Sequence, residues 1–133
     1  GEADALRSRL VDATIDALLD ATATGPSGWR PSMLHALLGS YDDATASLRW
    51  CLDRDDDPER GLTIVALLWG IVHNAHAREI HALGERALER WPDPTVRRWA
   101  NAAATVATCR FLAGDTAALI TTADANWAAK LAE

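Results

Sequence analysis

Aromatic side chains other than tryptophan are scarce in this sequence, and its 13 basic residues are outnumbered by 19 acidic ones. Phe, Tyr and Met each occur once among 133 residues, whereas Ala, Leu, Asp, Arg and Thr dominate. This composition favours helices over sheets, because strands are enriched in aromatic and β-branched side chains. The net charge of −6 argues against nucleic acid or an anionic membrane as a direct partner, since both attract basic surfaces.

Cysteine is limited to two positions, Cys51 and Cys109, which fit neither a disulfide framework nor a CxxC pair. We interpret both as small core residues of a protein in the reducing cytoplasm. The sequence shows no signal peptide or lipidation motif. It begins with Gly1 rather than Met, so we expect a piece of a longer protein.

The longest apolar run covers residues 61–73, where Thr63 is the only polar side chain between Leu62 and Val72. A helix that is apolar on every side must be surrounded by other elements. The run is much shorter than the roughly 20 residues needed to span a bilayer. Its β-branched residues would also suit a buried strand, but the neighbouring segments are helical, so we predict a central core helix.

Periodicity and turn signals predict an all-α single domain, residues 1–133, with six helices. Gly39 and Ser40 mark a place for fraying or a kink in the second helix. Consecutive helices would form three antiparallel hairpins stacked as a tetratricopeptide-like, right-handed α-solenoid. The predicted helices are 4–21, 32–53, 58–74, 79–91, 95–113 and 116–131.

Three histidines and a glutamate, His73, His76, His81 and Glu79, lie close together in the sequence. A metal site needs three or four converging ligands, and a turn is predicted within this group. We therefore favour capping and surface roles for these histidines and predict no metal site.

Asp53, Asp55 and Asp57 have the alternate spacing of a calcium-binding loop. That loop requires Gly at its sixth position and Glu at its twelfth, where this sequence has Pro58 and Ile64. A solvated acidic turn is the better interpretation.

Residues 25–28 are rich in glycine but lack the Lys-Ser/Thr pair of a phosphate-binding loop, so we interpret them as a linker. No Ser or Cys shows a base partner that the sequence can justify. The sequence therefore predicts no catalytic or cofactor-binding residues.

Three blocks of sequence resemble the tetratricopeptide-like region of large actinobacterial transcriptional regulators. The first, 42–53, is an acidic pair followed by a helix with the pattern Leu-Arg-Trp-Cys-Leu. The second combines Ala-Leu-Leu-Trp at 66–69 with Leu-Gly-Glu-Arg-Ala-Leu at 83–88. The third, 103–123, surrounds a Gly-Asp pair. The same blocks occur in this order in SARP-type and LuxR-type regulators and in ATPases of the STAND class.

The resemblance covers about residues 7–131 and implies a helical sensor that follows a P-loop NTPase and a winged-helix portion. ATP would then bind in a neighbouring domain, with no cofactor in this segment. The turn at 74–78 departs from the family pattern, because it lacks the usual glycine. The resemblance identifies no functional residues here.

In tetratricopeptide arrays the first helix of each hairpin lines the concave surface. We therefore predict a groove for a protein or peptide partner, or for a neighbouring domain of the same chain. The residues of the fifth helix assigned to it are Arg97, Arg98, Asn101, Thr105 and Thr108. An ordinary solvated helix face would show the same pattern.

Our first hypothesis is a non-catalytic interaction module of a multidomain ATP-dependent transcriptional regulator. Another copy of the same chain, in a homo-oligomer, is included among its expected partners. The second is a small-molecule-binding helical bundle with an apolar, tryptophan-lined pocket. A stand-alone enzyme ranks third. The tryptophans are expected in the core first, with Trp29 in a loop: Trp29, Trp50, Trp69, Trp91, Trp99 and Trp127.

Overall fold

The structure, a computed structural model, describes residues 1–22, 31–54, 57–73, 75–113 and 130–131. Within these ranges it contains six α-helices and no strand, which confirms the all-α class. Of the predicted sixth helix, 116–131, only residues 130–131 are described, and the predicted linker at 25–28 lies outside the described residues. The six helices are α1 (Glu2–Thr22), α2 (Pro31–Gly39), α3 (Tyr41–Arg54), α4 (Pro58–Leu67), α5 (Ala77–Arg90) and α6 (Trp99–Leu112).

The central position belongs to α4, as the apolar run predicts. Its residues 61–65 are all buried, and it packs against α1, α3, α5 and α6. Leu62 and Ile64 are fully enclosed, and burying a side chain of this size stabilises the fold by about 1.5–3 kcal/mol. None of the helices in the described ranges is long and apolar enough to cross a bilayer.

Both ends of α4 have clear local causes. At its start, the Asp57 carboxylate accepts a hydrogen bond from the Glu59 N–H at 3.0 Å, and Pro58 occupies the first turn. At its end, the helix tightens into a 3-10 turn at Leu68–Ile71. The apolar run therefore continues as a helical segment, but not as one regular α-helix.

The second predicted helix, 32–53, is corrected to two helices that break at Ser40. The Ser40 N–H donates to the Leu37 carbonyl at 3.1 Å, while the Ser40 carbonyl accepts from the Ala44 N–H and starts α3. Gly39 and Ser40 both have weak helix propensity, so the break falls where continuing the helix is least favourable. Leu37 and Tyr41, on either side of the break, are both buried.

The helices α5 and α6 each begin directly after a residue with positive φ. These are His76 at 63° and Arg98 at 74°. The prediction that a helix starts at Thr95 is corrected to Trp99. The Asp93 carboxylate accepts hydrogen bonds from the Thr95 N–H and hydroxyl at 2.9 and 2.7 Å, and this turn keeps the segment outside the helix.

Two glycines allow α4, α5 and α6 to pack closely. A Cβ atom on Gly61 would lie 2.3 Å from two ring carbons of Trp91. One on Gly84 would lie 2.5 Å from Cγ2 of Val106. Real Cβ contacts are longer by about 1 Å, so neither position has room for a side chain.

Candidate binding groove

A groove follows one side of α4 and consists of two adjoining pockets. The first, the Arg60 pocket, lies between α1, α4 and the turn before α6 and has a volume of about 380 Å³. Its walls carry three acidic and three basic side chains, so they are nearly neutral. The residues that line it are Asp12, Ile15, Leu19, Asp57, Glu59, Arg60, Thr63, Arg97 and Arg98.

The second, the Trp69 pocket, lies between the end of α4 and α6 and also measures about 380 Å³. Trp69 is 49% exposed, so its indole offers a large apolar surface to a ligand. Ala66, Leu67 and Ala104 add small or apolar side chains, while Asn101 and Arg98 add polar ones. The pocket is therefore apolar with one polar corner.

The two pockets meet at Arg98, which lines both. Arg98 is partly buried, and it forms no ion pair within the described part of the chain. Among the described residues it is the only charged one that lines the Trp69 pocket. Its neighbour Arg97 lies 3.7 Å from Glu59, with both side chains largely exposed, so that pair contributes little. Arg98 therefore places a positive charge, which is not ion-paired within the described residues, beside the apolar surface of the Trp69 pocket.

The position of the first pocket depends on Arg60, which joins α1 to α4. Its Nη1 donates to the Ser8 carbonyl at 3.1 Å, to the Ser8 hydroxyl at 3.0 Å and to the Asp12 carboxylate at 2.9 Å. Its guanidinium carbon lies 5.8 Å from the ring centroid of Trp50. Only 16% of the Arg60 side chain is exposed, so these contacts hold one wall of the groove firmly.

The predicted partner-binding residues divide into two sets. Arg97, Arg98 and Asn101 line the groove. Thr105 and Thr108 do not lie on a solvated face, which corrects the placement expected from the sequence: they are 0% and 7% exposed. Their hydroxyls donate to backbone carbonyls one turn earlier, so each side chain can be buried without an unsatisfied polar group.

The sequence predicts neither Trp69 nor Arg60 as a groove residue. It predicts Trp69 in the core with the other tryptophans, and it includes Arg60 only in the helix 58–74. The adjacent Gly70 is the one sequence feature that could have indicated the exposed position of Trp69. A Cβ there would lie 2.6 Å from Leu37 Cδ1, so α2 approaches at Gly70 while Trp69 faces outward.

A polar cluster outside the groove ties α3 to α5. The Tyr41 hydroxyl donates to Oε1 of Glu79, and Arg49 Nη2 lies 3.1 Å from Oε2. The His76 ring stacks on Tyr41 with 3.8 Å between centroids. Burial, together with the hydrogen bond to Glu79, raises the pKa of Tyr41, whereas the hydrogen bonds from Tyr41 and Arg49 lower the pKa of Glu79.

The other two histidines of the predicted group have separate partners. The His73 ring meets the Trp69 ring edge-on at 6.0 Å, and His81 Nε2 lies 3.1 Å from Oε1 of Glu85. Arg110 also contacts Glu85 and lowers its pKa. Within the ranges that the structure describes, no three His, Cys, Asp or Glu side chains converge as metal ligands would.

The described aspartates of the predicted acidic turn make different contacts. Asp53 lies 3.6 Å from Arg86 of α5, and Asp57 caps α4. Asp55 and the glycine-rich residues 25–28 lie outside the described part of the chain. The two described aspartates thus have structural contacts of their own.

Both cysteines are buried free thiols, as expected from the sequence. Burial raises the pKa of Cys109 to about 11, so its reactive thiolate form is scarce at neutral pH. Packing is therefore the role that the structure supports for Cys109.

A scan against models of known protein families finds no match, and neither do searches of curated proteins and of solved structures. The resemblance to the helical region of STAND-class regulators therefore stays a prediction.

Proposed function

We propose that this chain is a non-catalytic helical-repeat module that binds a protein segment in the groove along α4. It would serve as the sensor or interaction part of a multidomain ATP-dependent transcriptional regulator. The observation that carries the proposal is Arg98, which has no ion-pair partner among the described residues, beside the half-exposed Trp69. The regulator context rests on the sequence resemblance alone.

The contacts among helices support a tetratricopeptide-like arrangement. In a solenoid, the first helix of each hairpin packs on the first helices of the neighbouring hairpins. The predicted first helices correspond to α1, α4 and α6, and α4 contacts both of the others. The groove lies along these same three helices, which would line the surface where such arrays bind extended or helical segments.

The chemistry of the groove favours a segment with one apolar anchor and one carboxylate. An apolar side chain would cover Trp69, Leu67 and Ala104 and remove apolar surface from water. A carboxylate would pair with Arg98, whose guanidinium can donate two parallel hydrogen bonds. The segment would come from a protein partner or from a neighbouring domain of the same chain.

Selection from a random peptide library tests the binding role directly. Peptides of about 12 residues, enough for three helical turns, would be selected on the immobilised chain and then measured by fluorescence anisotropy. We expect micromolar binders that combine an acidic residue with a large apolar one. Ala104→Arg, which fills the Trp69 pocket, should abolish binding, and Arg98→Ala should weaken it about tenfold or more.

Arg78→Ala is the matched control, because Arg78 is an exposed arginine of α5 and does not line the groove. Peptides that bind Ala104→Arg as tightly as the parent chain would place the binding surface elsewhere. A library without any enriched sequence would count against a segment-binding role.

The regulator context has an independent test in the gene. An adjoining open reading frame with a phosphate-binding loop or a winged helix would support it. The isolated module should neither hydrolyse ATP nor bind DNA, and either activity in clean protein would contradict the proposal.

A further inference from the structure

A second groove lies on a different face, between α1 and α3, and does not include any residue of the α4 groove. It has a volume of about 230 Å³. Leu10 lines it and is 48% exposed, and Leu6, one helical turn earlier, is 52% exposed. These two leucines therefore form a small exposed apolar patch at one end of the groove.

The two helices that form this groove run antiparallel. Arg54, at the end of α3, pairs with Asp4, at the start of α1, at 2.6 Å. Ser47 Oγ lies 3.4 Å from Thr14 Oγ1 near the middle of the groove. The start of α3 therefore lies beside the last turns of α1.

This arrangement places opposite charges at opposite ends of the groove. Arg7 lines the end near the start of α1, and Asp43 lines the other end. With 1.5 Å of rise per residue, the two positions are about 16 Å apart along the helices. Neither side chain forms an ion pair within the described residues.

The side-chain sizes also differ between the two ends of the groove. The leucines lie towards the Arg7 end, whereas the Asp43 end is lined by small residues, among them Ala17 and Ser40. A two-fold axis through the middle of the groove would reverse its direction in a second copy. Each Arg7 would then face the other copy's Asp43, and each pair of leucines would face the other copy's small residues, as a two-fold symmetric interface requires.

We infer that the α1/α3 groove is a homodimerisation surface, on which two copies of this chain pack about a two-fold axis with reciprocal Arg7–Asp43 ion pairs. The inference does not depend on the proposed function of the α4 groove. A second copy is the occupant because the same surface carries both the basic, leucine-containing end and the acidic, small-residue end that would face each other.

Sedimentation velocity of the 133-residue chain over a range of concentrations tests the inference. We expect a monomer–dimer equilibrium that weakens as salt is raised, because exposed ion pairs are screened. Arg7→Glu and Asp43→Arg should each weaken the dimer about tenfold or more, since each places like charges together at two symmetric positions. The double variant should return to within about threefold of the parent dissociation constant.

Arg9→Glu is the matched control, since Arg9 is an exposed arginine of α1 that does not line this groove. Circular dichroism should show that each variant is folded. Rescue by the double variant would show independently that the single variants weaken the dimer through charge and not through misfolding. A chain that is monomeric at every concentration would overturn the inference. So would a dimer that both single variants leave intact, or one that the double variant fails to restore.

Discussion

Replacing Gly61 by alanine sets two opposite effects against each other in the centre of the molecule. Alanine is favoured over glycine inside a helix by about 1 kcal/mol, so propensity alone predicts a more stable protein. The added Cβ, however, would lie 2.3 Å from Cη2 and Cζ3 of Trp91. Carbon atoms in contact are normally about 3.5–4.0 Å apart, so the overlap exceeds 1 Å.

The clash should win because Trp91 cannot move aside easily. Its ring is a rigid plate, and the residue is only 6% exposed. Overpacking of a core usually costs about 1–3 kcal/mol, and a rigid neighbour places this site towards the upper end. We expect Gly61→Ala to lower the free energy of unfolding by about 1–2 kcal/mol after the gain in propensity is subtracted.

Urea unfolding followed by far-ultraviolet circular dichroism is the suitable assay, because tryptophan fluorescence would report the disturbed ring itself. With a slope of about 2 kcal/mol per molar urea, the midpoint should fall by about 0.5–1 M. Gly39→Ala is the control, since no atom lies within 4 Å of the added Cβ there. It should stabilise the protein by up to about 1 kcal/mol.

A double-mutant cycle then identifies the cause. In a Trp91→Leu background the ring is gone, so Gly61→Ala should cost about 1 kcal/mol less than it does in the parent chain. If Gly61→Ala instead raised the midpoint as Gly39→Ala does, the close approach of α4 to Trp91 would be refuted.

Three further predictions concern single contacts. Glu79→Gln should destabilise the protein at neutral pH, because the ionised carboxylate accepts a hydrogen bond from the Tyr41 hydroxyl. Folding lowers the pKa of Glu79 below 4.5, so the difference in stability between variant and parent should shrink as pH falls through that lowered pKa. Urea midpoints measured across pH will show this change. Gly84→Ala should lower the free energy of unfolding by about 1 kcal/mol through its clash with Val106, and a Val106→Ala background should relieve most of that loss in thermal unfolding. Asp57→Ala should cost about 1 kcal/mol by removing the cap of α4 while Asp57→Asn costs less, and equal losses in denaturant titrations would contradict the capping role.

The helical class and the central helix could be predicted because they depend on composition and on one continuous apolar run. An all-round apolar helix has only one kind of stable surroundings, so the sequence of α4 determines its place. The start of α4 was also predictable, since Pro58 and the acidic residues before it are local signals.

The errors arose where a local signal had two outcomes. The sequence predicts a solvated face for Thr105 and Thr108, but a threonine hydroxyl in a helix can donate to the carbonyl one turn earlier and be buried. The start of α6 moved to Trp99 because an aspartate turn competes with helix formation at Thr95. Helical periodicity alone predicts neither the side-chain hydrogen bond that allows burial nor the aspartate turn that delays the helix.

The groove was only half predictable for a different reason. Arg97, Arg98 and Asn101 followed from the polar side of one helix, whereas the other wall requires α1 and α4 to be brought together. Arg60 does this through Ser8, about fifty positions earlier in the chain. A single sequence gives no information about such long-range pairs.

The packing of α4 against both α1 and α6 matters while the chain is being made. α1 leaves the ribosome before α4, but α6 is synthesised last of the six helices. Until residue 112 has left the exit tunnel, the side of α4 that α6 covers remains open to solvent. The nascent chain is therefore most prone to aggregation between the synthesis of α4 and that of α6, and chaperones would be needed most in this interval.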